Sequence, residues 1–283
     1  MHHISTSDDT KLYYKDWQPN PLETESNVPK RTVVLMSGWP LTADSWEDQA
    51  HAIASAGHRV IAYDRRGFGR SSQPFSGYDY DTLADDLHAV LARTQAHNVV
   101  LVGFSMGGGE VVRYLAKYPE NNVIKAVLVS SVVSFKVLVS DDPSGNANAA
   151  YEQTKHALLK DRPAFFTGFF DKFFGVDNGV EAVSPELLLW ARSTALQGCL
   201  PATLGCFHAF SHTNFDVDLR AVKVPLLVIH GSADKIVPVS EAGRKKLSAL
   251  PLAQLLEYPG APHGLFATHK TRLTQDLLKF VES

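Results

Sequence analysis

The sequence predicts an α/β protein: a mostly parallel, doubly wound sheet with a helical cap inserted between two of its strands. Three observations lead there. Short runs rich in Val, Ile and Leu recur along the chain, stretches with helical periodicity separate them, and the segment 134–214 contains no such run.

The runs are taken in order. Leu12–Trp17 reads as part of an N-terminal hairpin. Thr32–Met36, Arg59–Tyr63, Val99–Val102, Val123–Val129, Pro225–His230 and Gln254–Tyr258 are nearly continuous in apolar residues. Such runs suit strands covered on both faces, as in a parallel sheet. Helices are expected at Thr82–Thr94, with Leu83, Leu87, Val90 and Leu91 on one face, and at Gly108–Lys117, Ser240–Leu250 and Lys270–Val281. Strand and helix in alternation mean βαβ units. The core is therefore expected over 1–133 and 215–283, and the inserted cap over 134–214. The polar, turn-rich run Asp141-Asp142-Pro143-Ser144-Gly145-Asn146 opens the cap. Glu23–Lys30 reads as a surface loop.

Composition narrows the function classes. The chain has 283 residues, 45% hydrophobic and 20% charged, with a formal net charge of −3. That is ordinary for a soluble enzyme. Nucleic acid is not an expected partner, because phosphate binding needs clustered Lys and Arg. No apolar run approaches the roughly 20 residues of a membrane span. The N-terminus lacks a basic stretch followed by an apolar one, so a cytoplasmic location is expected. Cys199 and Cys206, placed on one helix, would stand about 10 Å apart along its axis, too far for a disulfide.

The chemistry concentrates in Val99-Val100-Leu101-Val102-Gly103-Phe104-Ser105-Met106-Gly107-Gly108-Gly109-Glu110. A buried strand ends, a sharp turn follows, and a helix begins. Gly103 and Gly107 leave room for the backbone to pass close on either side, which presents the Ser105 hydroxyl above the carboxyl ends of the strands. The Met106 N–H points into the same space at a helix N-terminus, where negative charge is favoured. A serine hydroxyl needs a base. Of twelve histidines, His263 in Tyr258-Pro259-Gly260-Ala261-Pro262-His263-Gly264 follows the last expected strand and so lies on the same edge of the sheet. His230, at a strand end, is read as a core or supporting residue. His208 and His212 belong to the cap, and His269 is placed on a helix, exposed. Asp234, just beyond the strand ending at His230, is the acid that would orient His263. Asp216 and Asp218 are read as surface residues at the cap exit.

An oxyanion hole needs a second N–H. The loop Met36-Ser37-Gly38-Trp39-Pro40 offers the Trp39 amide beside that of Met106, since Pro40 cannot donate. The Trp39 ring is expected to wall the substrate pocket. In the cap, Phe165-Phe166-Thr167-Gly168-Phe169-Phe170 and Phe173-Phe174 bury large apolar area. Most of these rings are expected to pack a lid helix on the core, with Phe166 and Phe170 assigned to substrate. Asp64-Arg65-Arg66-Gly67-Phe68-Gly69-Arg70-Ser71 matches no phosphate loop and reads as a structural turn with a buried ion pair.

Together, Gly38-Trp39-Pro40-Leu41, Asp44-Ser45-Trp46, Tyr63-Asp64-Arg65-Arg66-Gly67, the Ser105 turn and Gly260-Ala261-Pro262-His263-Gly264-Leu265 resemble the cofactor-free bacterial haloperoxidases and their aryl-esterase relatives, which have the α/β-hydrolase fold. The likeness runs over nearly the whole chain. It implies a Ser-His-Asp hydrolase of small esters, through an acyl-enzyme. It also implies perhydrolysis, in which hydrogen peroxide replaces water and yields a peracid that oxidises halide, so that no haem, metal or other cofactor is expected. The Trp39-Pro40 pair is typical of peracid-forming members. The family usually has His where Ser37 stands, and that His supports the oxyanion loop. Ser37 can make one local hydrogen bond, so altered specificity or a weakened oxyanion hole is expected.

The expected partner is a small apolar ester or acid, with a homo-oligomer left open. Lactamase, amide or C–C bond hydrolysis is the alternative chemistry. A ligand-binding receptor on a hydrolase scaffold is the non-enzymatic one, and the complete triad argues against it. Haloalkane dehalogenation is disfavoured, because its nucleophile is an aspartate.

Overall fold

The computed structural model describes residues 2–19, 30–120, 122–135, 144–176 and 183–283. Eight strands form one sheet in the order β1-β2-β4-β3-β5-β6-β7-β8. They are β1 (His3–Ser5), β2 (Lys11–Trp17), β3 (Thr32–Met36), β4 (Arg59–Tyr63), β5 (Val99–Phe104), β6 (Val123–Val129), β7 (Leu226–Gly231) and β8 (Ala253–Tyr258). β1 and β2 are antiparallel to their neighbours, and β3 to β8 are parallel. Every residue of β3, β5 and β7 is buried, as their unbroken apolar runs require.

The winding decides where a site can form. From β3 the chain passes through helix α1 (Glu47–Ser55) to β4. It then returns through α2 (Tyr80–Arg93) to β5, on the other side of β3. The direction of winding therefore reverses between β3 and β5, and open α/β sheets bind ligands in the crevice at such a switch point, beyond the carboxyl ends of the strands. Ser37–Pro40 follows β3, and Ser105 follows β5. Asp234 follows β7, and His263 follows β8.

α3 (Met106–Lys117) begins directly after Ser105, two residues earlier than the sequence predicts. Between β6 and β7 the described residues form helices and no strand: α4 (Val132–Phe135), α5 (Asn146–Lys160), α6 (Arg162–Phe173), α7 (Pro185–Leu196), α8 (Leu200–His212) and α9 (Asp216–Ala221). Asp161, Ser184 and Cys199 cap α6, α7 and α8 through side-chain acceptors. The expected turns at Asp141–Pro143 and Glu23–Pro29 lie outside the described residues. α10 (Glu241–Ser248), α11 (Leu265–Thr268) and α12 (Lys270–Glu282) complete the chain. No helix among the described residues is long and apolar enough to cross a membrane. Both cysteines are free thiols.

Two sequence expectations change here. Asp218 is not a surface residue. It is buried and accepts from Arg113 Nε at 2.8 Å and Nη2 at 3.2 Å, which ties α9 to α3. His269 is partly buried at the start of α12, where its ring meets the Thr268 hydroxyl. The turn after β4, by contrast, carries ion pairs as expected: Arg65–Glu110, Arg66–Asp86 and Arg70–Asp64.

Candidate active site

Ser105 sits at φ 52° and ψ −115°. A non-glycine residue in this region costs on the order of 1–3 kcal/mol, and persists only where its surroundings fix it. They do so here. The Ser105 N–H donates to Val129 O at 2.8 Å, and its carbonyl accepts from Gly108 N at 3.1 Å. The glycines make the turn possible. A Cβ on Gly103 would collide with the carbonyl of Gly107, and one on Gly107 would stand 2.7 Å from Met36 O.

The structure brings Ser105, His263 and Asp234 into one hydrogen-bonded chain. Asp234 Oδ2 lies 2.7 Å from His263 Nδ1, and His263 Nε2 lies 3.0 Å from Ser105 Oγ. A carboxylate only accepts, so Nδ1 carries the proton. Nε2 of the neutral ring then has a free lone pair, and Ser105 Oγ–H donates to it. All three side chains are buried. The other Asp234 oxygen accepts the amides of Ile236 and Val237, both at 2.8 Å. His230 Nε2 is 3.2 Å from Asp234 Oδ2 and donates to Val237 O at 2.8 Å, the supporting place expected of it. Burial alone would push the Asp234 carboxyl up. The imidazoles of His263 and His230 outweigh it, and hold the group well below the usual carboxylate range. The His263 loop is fixed through its backbone: the His263 carbonyl accepts from Ser130 Oγ at 2.9 Å, and Gly264 N–H donates to Phe173 O at 2.9 Å. Ser130, itself at φ 46°, carried no signal in the sequence.

Met106 is the first residue of α3, so its N–H has no acceptor within the helix. The Trp39 N–H makes no backbone hydrogen bond among the described residues, and the Trp39–Pro40 peptide is cis. The loop before it lies directly on the nucleophile, since a Cβ on Gly38 would stand 2.9 Å from Ser105 Cβ. Ser37 differs from expectation. Its hydroxyl is buried and meets no partner among the described residues, whereas its carbonyl accepts from Arg65 Nη2 at 2.6 Å.

A cavity of about 640 Å³ opens over Ser105. Its walls are Trp39, Phe165, Phe169, Phe207 and Phe210, with Lys172 and Lys235 the charged residues lining it. Trp39 walls the pocket as expected, but Phe166 and Phe170 do not. Both are fully buried, and Phe166 packs behind Trp39 at a ring distance of 5.6 Å. The flank of α6 that faces the cavity carries Phe165 and Phe169 instead. His208 and His212 are not among its lining residues. His208 Nδ1 meets the Tyr151 hydroxyl at 3.1 Å, and His212 Nδ1–H donates to His208 O at 2.9 Å.

A buried serine–imidazole–carboxylate chain with the serine at a helix N-terminus can carry out acyl transfer. Comparison with known proteins agrees with that chemistry. Residues 31–270 match a family model described as alpha/beta hydrolase fold. The chain is 40% identical over 281 residues, covering 99% of both sequences, to a non-heme chloroperoxidase of Streptomyces lividans. It is 35% identical over 285 residues, covering the whole of both, to a bifunctional esterase/perhydrolase of Acinetobacter calcoaceticus. Among solved structures, a bromoperoxidase from Bacillus anthracis matches with a TM-score of 0.89 at 38% identity, over 99% of each chain.

Proposed function

We propose, from the premise that this chain belongs to the alpha/beta hydrolase family in the branch that holds the non-heme chloroperoxidases, that it is a serine esterase with perhydrolase activity. The hydrogen-bonded chain Ser105–His263–Asp234 at the floor of an apolar cavity carries this reading.

Ser105 Oγ attacks the ester carbonyl while His263 Nε2 takes its proton. The carbonyl oxygen becomes an oxyanion and accepts from the amides of Met106 and Trp39, each donor worth about 10²–10³ in kcat. Asp234 keeps the imidazole in the reactive tautomer and stabilises its cation. His263 then protonates the leaving alkoxide, and an acyl-Ser105 remains. Water, or hydrogen peroxide, attacks this ester with His263 again as base. The product is an acid with water, and a peracid with peroxide. The peracid oxidises bromide to hypobromite and returns to the acid.

The substrate is a small apolar ester or acid. Aromatic walls suit its apolar part, and Lys172 and Lys235 offer a carboxylate a favourable potential at the same cavity. The test is p-nitrophenyl acetate hydrolysis, followed by halogenation of a dye with acetate, peroxide and bromide. Both activities are expected in the wild type, and both should vanish together in Ser105→Ala. Full hydrolysis in that variant would overturn the reading.

A further inference from the structure

We propose that the buried Arg65–Glu110 ion pair sets the distance and orientation between the two oxyanion donors, so that both are positioning residues for ester hydrolysis. This rests on the roles given above to Ser105, Met106 and Trp39.

Arg65 lies just beyond β4, and Glu110 lies on α3. Arg65 Nε donates to Glu110 Oε1 at 2.7 Å, Nη2 donates to the same oxygen, and the Tyr63 hydroxyl donates to Glu110 Oε2 at 2.7 Å. Arg65 and Glu110 are almost completely buried. Two geometric facts give the pair its reach. Glu110 is four residues after Met106, hence one turn further along the same face of the helix. Arg65 Nη2 also holds the Ser37 carbonyl at 2.6 Å, in a charge-assisted bond that is stronger and more directional than a neutral one. One strut therefore joins the turn bearing the Met106 amide to the loop bearing the Trp39 amide. The loop also lies close on Ser105 at Gly38, where a Cβ would stand 2.9 Å from Ser105 Cβ. Gly38 thus follows the held Ser37 carbonyl, and the next peptide group is the donor.

Energetics argue that stability alone does not explain the pair. Desolvating two charges costs several kcal/mol each, and an apolar replacement of similar volume is often neutral or better. The arrangement is not fully satisfied either. Arg65 Nη1 and Ser37 Oγ are buried without a hydrogen-bond partner among the described residues. What apolar side chains could not supply is the fixed bond to the Ser37 carbonyl. A displacement of about 1 Å in a positioned group is enough to cost on the order of 10²-fold in rate.

The test is the triple variant Tyr63→Phe/Arg65→Met/Glu110→Leu, which removes the network and leaves no charge behind. Thermal unfolding, p-nitrophenyl acetate kinetics, and inhibition by phenylboronic acid and by acetate are measured. Phenylboronic acid forms a tetrahedral adduct with the serine, and acetate stands for the ground state. A kcat loss of about 100-fold is expected, with KM within about threefold. The inhibition constant of the boronic acid should rise by the factor lost in kcat/KM, and that of acetate should not move. Should the triple variant fail to fold, Arg65→Lys keeps the charge but lacks the fork that bonds Glu110 and Ser37 together. It is expected to lose a smaller factor of kcat, with the same parallel shift in boronic acid affinity. Wild-type kcat and boronic acid affinity in whichever variants fold would overturn the proposal. So would a loss expressed only in KM or only in unfolding temperature. A wild type inactive on every ester would instead overturn the esterase reading on which this one rests.

Discussion

The floor and the roof of the cavity are built by different physics. On the floor, Ser105, His263, Asp234 and the Trp39 loop are held by directed, mostly buried bonds, several of them charge-assisted. The roof, built from α5, α6 and α8, packs aromatic rings against one another and lines the cavity with several of them. Directed bonds fix angles, which the reacting atoms need, whereas ring packing fixes only volume and polarity, which is what binding an apolar substrate needs. Trp39 joins the two. Its amide belongs to the floor. Its indole N–H donates to Thr203 O of α8 at 3.1 Å, and its ring meets Phe169 and Phe210 at 5.4 and 5.7 Å. Trp39 therefore ties the loop after β3 to α6 and α8.

Breaking the floor gives the largest effects. Ser105→Ala is expected to lower kcat by about 10⁶, read by ester hydrolysis, with the fold intact by circular dichroism. Asp234→Asn should cost about 10⁴, because the ring then rests in the wrong tautomer. The Asp234 carboxyl stays ionised well below the usual range. For the same reason its contribution to stability has a fixed sign. The folded-state pKa is depressed, so the contribution is complete above the unfolded value of about 4 and is lost only as pH falls below it. Unfolding midpoints of wild type and Asp234→Asn should therefore converge as the pH falls below about 4.

Breaking the roof acts on stability and selectivity. Phe170→Ala empties a fully buried site and should destabilise by about 3–5 kcal/mol, seen as an earlier denaturant midpoint. Phe165→Ala, on the cavity wall, should change stability less and shift the preferred acyl length of p-nitrophenyl esters upward. The smallest effect is expected at Cys206. Burial pushes its thiol up to about 12, so a thiol reagent at neutral pH should leave it unlabelled in the native protein and modify it only after unfolding, by mass spectrometry.

The same contrast explains what was legible in the sequence. The floor could be read because each of its parts has a local signature: an apolar run, a glycine-flanked Ser105, then Asp234 and His263 each just beyond a strand. Chain order and strand ends were enough to converge them. The roof could not be read to the residue. Phe165 and Phe169 form one stripe of α6, and Phe166 and Phe170 form the next. Both stripes are aromatic, so periodicity gives no sign of which one meets the cavity. Arg65 and Glu110 were equally silent as partners, since 45 residues separate them and only the sheet order brings them together. Ser37 follows a related logic. Its residue type suggests a side-chain hydrogen bond, but the bond that holds the loop comes from its carbonyl.

The most direct test is to trap the acyl-enzyme. The protein is mixed with p-nitrophenyl acetate, quenched in acid during turnover, digested and examined by mass spectrometry. An acetyl group on the peptide that carries Ser105, absent in His263→Ala under the same exposure, is the predicted result. Undiminished turnover with the acetyl group on another residue, or with none at all, would contradict it.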